Sequence, residues 1–527
     1  MISATTSPGH APAISEIAVS SRPPPAPRTF DAAWIAVLAT IVSIAGGARP
    51  SLWFDEAATI SASTRTVPEL WRMLGNIDAV HGLYYLVMHG WFAIFPPTEF
   101  WSRLSSAMAV GVAAAGVVVL AKRLASRSVA ITAGIVFAIL PRVTWAGIEA
   151  RSYALSMVLA VWMTVLVLEA ARRNKLRWWL AYSTLVVAGG LLNVFLVLIV
   201  PVHAVVVATA SESKTVRRAW VASAGAGLTA ITPFLFFTQT QLFQVRWITT
   251  LTDNPLVSIT RDQYFDRAQV FAILAGIAIL AGLIAVPRYG QLASDRPWRV
   301  VVVAAVWVAL PTVIVFAYSA LRQPVYYPRY LSFTTPAMAL LIGFCVVVAI
   351  RSRVGIAVPV LAFACAAVPN YLAQRGPYAK EDMDYSSVAD VITRHAEPGD
   401  CLVMDNSAAW KPGPIRPMLA ARPAAFAKLH DYGRGRSSID RDMLWDGHTA
   451  IWMWADKLPS CTTLWTVSER DATLPDHQQG PDLGPGPRLA RAMAFQVPSR
   501  FGFHVVERWQ FSFAQVAKST RVAKSTQ

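Results

Sequence analysis

The sequence predicts an α-helical polytopic membrane protein with about eleven transmembrane helices and a C-terminal extracytoplasmic α/β domain. Three observations carry that expectation. Hydrophobic residues make up 55% of the 527 residues and charged residues only 15%, with a mean hydropathy of +0.43, whereas soluble domains carry roughly 25% charge. Apolar runs long enough to cross a bilayer recur through the first 371 positions. Basic clusters fall in every second connection between them. One water-soluble core of this size is excluded, and so is a disulfide scaffold, because four cysteines are too few. The formal net charge of +16 lies mostly between apolar spans, where it sets membrane orientation and gives no reason to expect nucleic acid.

Residues 1–29 are rich in Pro, Ser and Ala and cannot bury a core, which predicts a disordered cytoplasmic tail. Gly46-Gly47-Ala48 after the first apolar run resembles a signal-peptidase site, but the tail before it is long for a signal peptide. The transmembrane domain spans 30–371, with expected spans near 30–48, 102–121, 128–147, 152–170, 178–192, 194–210, 219–238, 267–286, 298–318, 332–350 and 354–371. The segment 178–210 reads either as two spans around Asn193 or as one tilted helix plus a re-entrant piece. The clusters Arg22/Arg28, Lys122/Arg123/Arg127, Arg172/Arg173/Lys175/Arg177, Lys214/Arg217/Arg218, Arg288/Arg296/Arg299 and Arg351/Arg353 are cytoplasmic by the positive-inside rule. An odd number of spans then leaves the N-terminus inside the cell, and the loops 49–100, 148–151, 239–266 and 319–331 and everything after 371 outside a plasma membrane.

Within the loop 49–100, Val67, Leu70, Trp71 and Leu74 recur at helical spacing behind Thr66 as N-cap and Pro68 in the first turn, the pattern of an interfacial amphipathic helix. Leu83 to Phe95 is a second interfacial candidate. Residues 372–527 are water-soluble in composition. They predict a helix over 384–395, strands at 401–404, 450–454, 462–467 and 503–513, and Pro/Gly-rich linkers at 411–417 and 480–487. Cys401 and Cys461 would share the oxidising exterior, which permits a disulfide, and two buried thiols are the alternative.

Acidic residues beside a bilayer are costly and tend to be functional. Asp55 and Glu56 follow the first span closely and are flanked by Trp53 and Phe54, which can desolvate them or stack on a sugar. Adjacent carboxylates point in different directions, so one is expected as base and the other as an orienting group. The same face receives Asp78, His81, Tyr84 and Tyr85, then Glu149 and Arg151, then Tyr327, Arg329 and Tyr330, with Arg322 nearby. Tyr and Arg at a boundary are often only anchors, but arginine also suits bidentate binding of phosphate. Because the exterior lacks nucleotide sugars, a transferase there needs a donor carried on a lipid, and a polyprenyl phosphate sugar fits.

Asp55-Glu56, the Asp-x-x-His-Gly-x-Tyr-Tyr run at 78–85, Glu149-Ala150-Arg151-Ser152-Tyr153 and Pro328-Arg329-Tyr330-Leu331 together resemble the GT-C glycosyltransferases. They are most similar to the bacterial branch related to protein O-mannosyltransferases and the lipid A aminoarabinose transferase, and the resemblance covers about residues 30–370. Many relatives have a proline-containing His-x-Pro-x-Tyr-Tyr where this chain has Gly82. The Ala/Val/Arg-rich composition looks actinobacterial. The resemblance implies inverting transfer of a sugar, mannose by family preference, from a polyprenyl-phosphate donor to a hydroxyl of a cell-envelope glycolipid, lipoglycan or polysaccharide. Asp55 would be the base. Arg329, with Arg151, Arg322 and Tyr330, would hold the leaving phosphate, while Glu56, Asp78, His81, Tyr84, Tyr85, Glu149 and Tyr327 would orient sugar or acceptor.

No zinc, P-loop or Rossmann pattern occurs, although Asp55, Glu56 and Asp78 could hold a divalent cation without a sequence signature. The Asp-x-Asp pairs at 382/384 and 440/442 lie on the exterior, away from nucleotide sugars, and His81 and His89 lack a third zinc partner. The rival readings are a lipid-linked sugar flippase, which would place charges inside the bundle and show repeats, and an arabinosyltransferase or oligosaccharide ligase of the same fold.

Overall fold

The computed structural model describes residues 30–248, 254–290, 297–405 and 416–521. The expected tail 1–29 with Arg22 and Arg28, Arg296 of the fifth basic cluster, and positions 411–415 of the first linker lie outside them.

Every expected span coincides with helix. They begin with α1 (Asp31–Ile44), followed by three helices of the first long loop, α2 (Phe54–Ser63), α3 (Val67–Asn76) and α4 (Gly82–Phe92). Then come α5 (Glu99–Leu124), α6 (Arg127–Ile139), the short α7 (Pro141–Ala146), α8 (Tyr153–Arg173), α9 (Leu176–Leu192), α10 (Ile199–Ala210) and α11 (Lys214–Gln239). The helices Gln269–Gly290, Pro297–Leu321, Thr335–Ile350 and Arg353–Ala373 complete the helical part. Among the described residues seven helices are long and apolar enough to cross a membrane, and α1, α6, α9 and the segment Val194–Ala210 are shorter apolar helices at the other four expected positions. The chain is a multi-pass membrane protein. Asn193 breaks 178–210 in two: it leaves helical geometry, and its side chain accepts from the Phe195 amide to cap the next turn.

Local chemistry explains the loop helices. Thr66 and Glu69 form a capping box at the start of α3, with Pro68 in its first turn. Leu70 and Met73 are buried while Val67 and Trp71 are exposed, so α3 shows an apolar strip on its outer side as an interfacial helix would. Helix α2 was not foreseen. It begins at Phe54 and places both Asp55 and Glu56 in its first turn, where carboxylates favour the positive end of the helix dipole. Gly46 takes a left-handed φ of 72° at the end of α1, and Arg375 donates to the carbonyl oxygens of Val42, Ser43 and Ala45 there. Gly46-Gly47 thus serves as a helix terminus.

The C-terminal region carries a five-stranded mixed sheet in the order β1-β2-β5-β4-β3, formed by β1 (Cys401–Met404), β2 (Thr463–Glu469), β3 (His477–Leu483), β4 (Phe503–Gln510) and β5 (Ala514–Arg521). Only β1 and β2 run parallel. Helix Tyr385–His395 packs on it where the sequence expects a helix. Three strand expectations need correction. Residues 450–454 form a single 3₁₀ turn, because Ile451 and Trp454 are the buried pair and a spacing of three suits a turn. The expected strand 503–513 is β4 as far as Gln510; the chain then turns, with Phe511 N–H closing the hairpin onto Ala514 O, and β5 lies beyond the expected range. The linker expected at 480–487 contains most of β3, which tolerates Gly480 and Pro481 because it is an edge strand whose register shifts between Gln479 and Leu483. Cys401 and Cys461 are disulfide-bonded. Leu52, Trp53, Ala57 and Ile60 share one apolar core with Leu402, Trp465 and Val516, and the helix Arg416–Ala421 packs on α2.

Candidate active site

Helix α2 separates two sets of charges. Its first turn sends Glu56 one way and Asp55 the other, since neighbours on a helix diverge by about 100°. Glu56 is fully buried and forms a bidentate pair with Arg103 of α5, at 2.8 Å from Nε and 2.5 Å from Nη2. Arg103 also donates to the carbonyl oxygens of Gly47, Pro50 and Ser51, fastening the α1–α2 connection. Behind it, Glu149 accepts from Trp53 Nε1 at 2.8 Å and from Lys380 Nζ at 2.5 Å. Glu56, Arg103, Glu149 and Lys380 line neither of the two cavities described next.

Asp55 faces a cavity of about 1250 Å³. One oxygen lies 3.1 Å from Arg151 Nη2 and the other 3.5 Å from Arg329 Nη2. Burial raises the Asp55 carboxyl, but the two guanidinium groups outweigh it and hold it below the usual carboxylate range. Arg151 donates to the Tyr85 hydroxyl at 2.8 Å, which donates to Asp78 at 2.6 Å. Arg329 lies over the rings of Tyr327 and Trp53, with centroids at 4.6 and 5.1 Å, and reaches Glu381 at 3.5 Å. Arg151 and Arg329 each keep Nε buried without a partner, and His81 keeps Nδ1 so. Burial, then Arg151, push the His81 imidazole down to about 4, so it is neutral at ordinary pH.

Apolar side chains predominate in the rest of this cavity. Leu198, Leu235, Phe236, Ile314, Val315 and Tyr318 line it from the helical part. The site is a largely apolar groove with Arg151, Arg329 and the Asp55 carboxylate between them at its polar end. A second, more polar cavity of about 720 Å³ shares Tyr327, Arg329, Glu381 and Asp382 with the first.

The expected site residues therefore sort by position. Asp55, Asp78, His81, Arg151, Tyr327, Arg329 and Tyr330 line the main cavity. Tyr85 and Glu149 stand behind it, touching Arg151 and Trp53. Glu56 turns away to Arg103, and Tyr84 packs in a core with Met73 and Met88, its hydroxyl without a partner. Arg322 is exposed just past the helix Pro297–Leu321 and lines neither cavity. The Asp-x-Asp pairs do not converge: Asp384 accepts from the Phe513 and Ala514 amides, and Asp442 pairs with Arg72. His89 contacts the Ser63 carbonyl. Among the described residues no three His, Cys, Asp or Glu side chains gather as a metal would require. Sequence reasoning missed Arg103, Lys380 and Glu381. Arg103 carried a readable signal, a charge at the start of an apolar run, whereas Lys380 and Glu381 are ordinary in a polar stretch.

Residues 83–238 match the family of dolichyl-phosphate-mannose-protein mannosyltransferases. That match includes Tyr85, Glu149 and Arg151 and leaves out Asp55 and Arg329. No curated protein matches the chain in sequence. Among solved structures, the apo crystal structure of ArnT from Cupriavidus metallidurans is similar with a TM-score of 0.54 at 14% identity, covering 92% of this chain and 97% of that one. The crystal structure of the same protein bound to undecaprenyl phosphate is similar with a TM-score of 0.50 at 12% identity, covering 93% and 98%. This likeness runs through both the helical part and the sheet, and together with the family match it establishes that the chain has the GT-C glycosyltransferase fold.

Proposed function

We propose that the protein transfers a sugar, mannose by the family match, from a polyprenyl-phosphate donor to a hydroxyl of a cell-envelope glycolipid, lipoglycan or polysaccharide on the outer face of the plasma membrane. The observation that carries this reading is Asp55 between Arg151 and Arg329 at the polar end of an apolar groove. The prenyl chain occupies the groove, and its phosphate takes the two guanidinium groups now paired with Asp55. ArnT, which shares the fold, binds undecaprenyl phosphate, in keeping with this.

Engagement of both arginines by the donor phosphate weakens their hold on Asp55 and raises the basicity of its carboxylate. Asp55 then takes the proton from the acceptor hydroxyl while the acceptor oxygen bonds to the anomeric carbon. The bond from that carbon to the phosphate oxygen breaks, and its electron pair leaves with polyprenyl phosphate, stabilised by Arg151 and Arg329. Attack opposite the leaving group inverts the anomeric centre. Asp78 and His81 lie within the cavity to orient hydroxyl groups, His81 as a neutral imidazole.

The orientation rests on charge. Asp31 at the start of α1 pairs with Lys122 and Arg127, and Arg123 pairs with Glu169, so the basic connections gather at the end of the bundle opposite α2. By the positive-inside rule that end is cytoplasmic, and α2 with the sheet is outside. The test is incubation of purified protein with a synthetic short-chain polyprenyl-phosphate mannose, with release of polyprenyl phosphate as the readout. Wild type consumes it and Asp55→Asn does not. Turnover retained by a folded Asp55→Asn protein refutes the assignment of the base.

A further inference from the structure

Backbone strain in this protein is concentrated at the second cavity. Eight described non-glycine residues have positive φ, and four of them line that cavity as two consecutive pairs: Asp266 and Arg267 at 45° and 70°, and Glu381 and Asp382 at 51° and 58°. A left-handed backbone is disfavoured for a residue with a Cβ, and glycine would relieve it. Strain of this kind persists where the surroundings enforce it and marks functional positions.

The surroundings do enforce the second pair. Lys380, just before it, is buried against Glu149 and the Trp145 ring. Met383 and Asp384, just after it, are buried, and Asp384 is held by the Phe513 and Ala514 amides. Glu381 and Asp382 are the exposed tip between these anchors, so the turn presents two carboxylates on a fixed backbone where the two cavities meet. Arg329 is the wall between the cavities. It is only 7% exposed, pairs with Asp55 on one side and Glu381 on the other, and keeps a buried Nε without a partner.

We infer that the second cavity receives the sugar end of the acceptor, and that Glu381 and Asp382, faced by Arg267, recognise its vicinal hydroxyls. This rests on the proposed transfer reaction. Rigid carboxylates accept two hydrogen bonds from a diol and an arginine donates to one, whereas an apolar acceptor would find nothing to replace the water it displaces from a polar cavity. Glu381 and Asp382 are thus specificity-determining residues on the acceptor side of Arg329, and the polyprenyl phosphate stays on the other side.

The experiment compares wild type with Glu381→Gln, Asp382→Asn and Asp382→Gly. Transfer is read as label passing from polyprenyl-phosphate mannose into membranes of the source organism that lack this chain. Donor-side binding is read as the rise in thermal midpoint given by undecaprenyl phosphate. The expected result is at least a tenfold loss of transfer in each variant, with the undecaprenyl phosphate shift retained, or enlarged in Glu381→Gln because Arg329 loses a competing partner. Asp382→Gly should melt no lower than wild type, which separates recognition from folding. Unchanged transfer, or loss of the undecaprenyl phosphate shift in parallel with transfer, overturns the inference. Absence of transfer by wild type overturns the functional reading itself, and this inference with it.

Discussion

The two sides of α2 hold acidic residues of the same kind in opposite states. On one side Glu56 and Glu149 are fully buried, each with a cation at about 2.5 Å. On the other, Asp55 sits 16% exposed between two arginines at longer range, with unpartnered nitrogens around it and a cavity in front. A closed network holds a shape, and an open one has room for a ligand that completes it. Adjacency in sequence says nothing about which side a carboxylate joins. The helix that begins at Phe54 decides it.

That contrast can be broken from either side. The largest effect expected is on chemistry: Asp55→Asn should lower transfer by a thousandfold or more, measured as release of polyprenyl phosphate, while the protein melts close to wild type. Arg103→Ala should do the reverse. Removing one partner of a buried pair costs about 3–5 kcal/mol, so loss of monodisperse protein in detergent is expected, and full stability would show that the pair does not fasten the α1–α2 connection. Next in size, Arg329→Ala should weaken undecaprenyl phosphate binding at least tenfold, and Arg322→Ala should leave it unchanged, both read by thermal shift.

Asp384 sharpens the comparison through pH. Burial raises its carboxyl to about 6 despite the amides it accepts from. The folded state therefore binds the proton more tightly than the unfolded chain, and stability falls as pH rises from about 4 to 6, then levels. The loss is roughly 2–3 kcal/mol at about 1.4 kcal/mol per unit, and Asp384→Asn should flatten the stability profile there. The smallest effect concerns catalysis between pH 5 and 8. Asp55 in the resting site titrates below the ordinary range and His81 at about 4, so neither puts a step in donor binding across that interval. A binding step near 6.5 would show that His81 is solvated and titrates normally.

Most of the helical architecture was legible because hydrocarbon imposes one answer on every apolar run. Gly46, Asn193 and Thr66 marked ends correctly for the reasons such residues usually do. The sheet was half legible. β1 and β2 are buried runs that read as strands from composition, but β3 and β5 do not. β3 contains His477, Gly480 and Pro481, tolerated only because nothing pairs with its outer side. β5 is a polar-tipped strand whose partners β2 and β4 set its identity. At the site, Asp55, Arg151 and Arg329 stood out as charges at membrane boundaries. The assignment of Glu56 and Tyr84 to the core was beyond reach without the rotation of α2 and α4, and Arg322 was drawn in by proximity to Arg329 although the helix end carries it out to solvent.

On the proposed reading, the carboxylate lodged between Arg151 and Arg329 also makes the phosphate site selective. Free inorganic anions must evict a tethered negative charge that is already in place, and they bring nothing else to the exchange. A phosphate attached to hydrocarbon brings about 0.8 kcal/mol for each methylene it hides from water, so only an anion with a long tail can displace the internal occupant at low concentration.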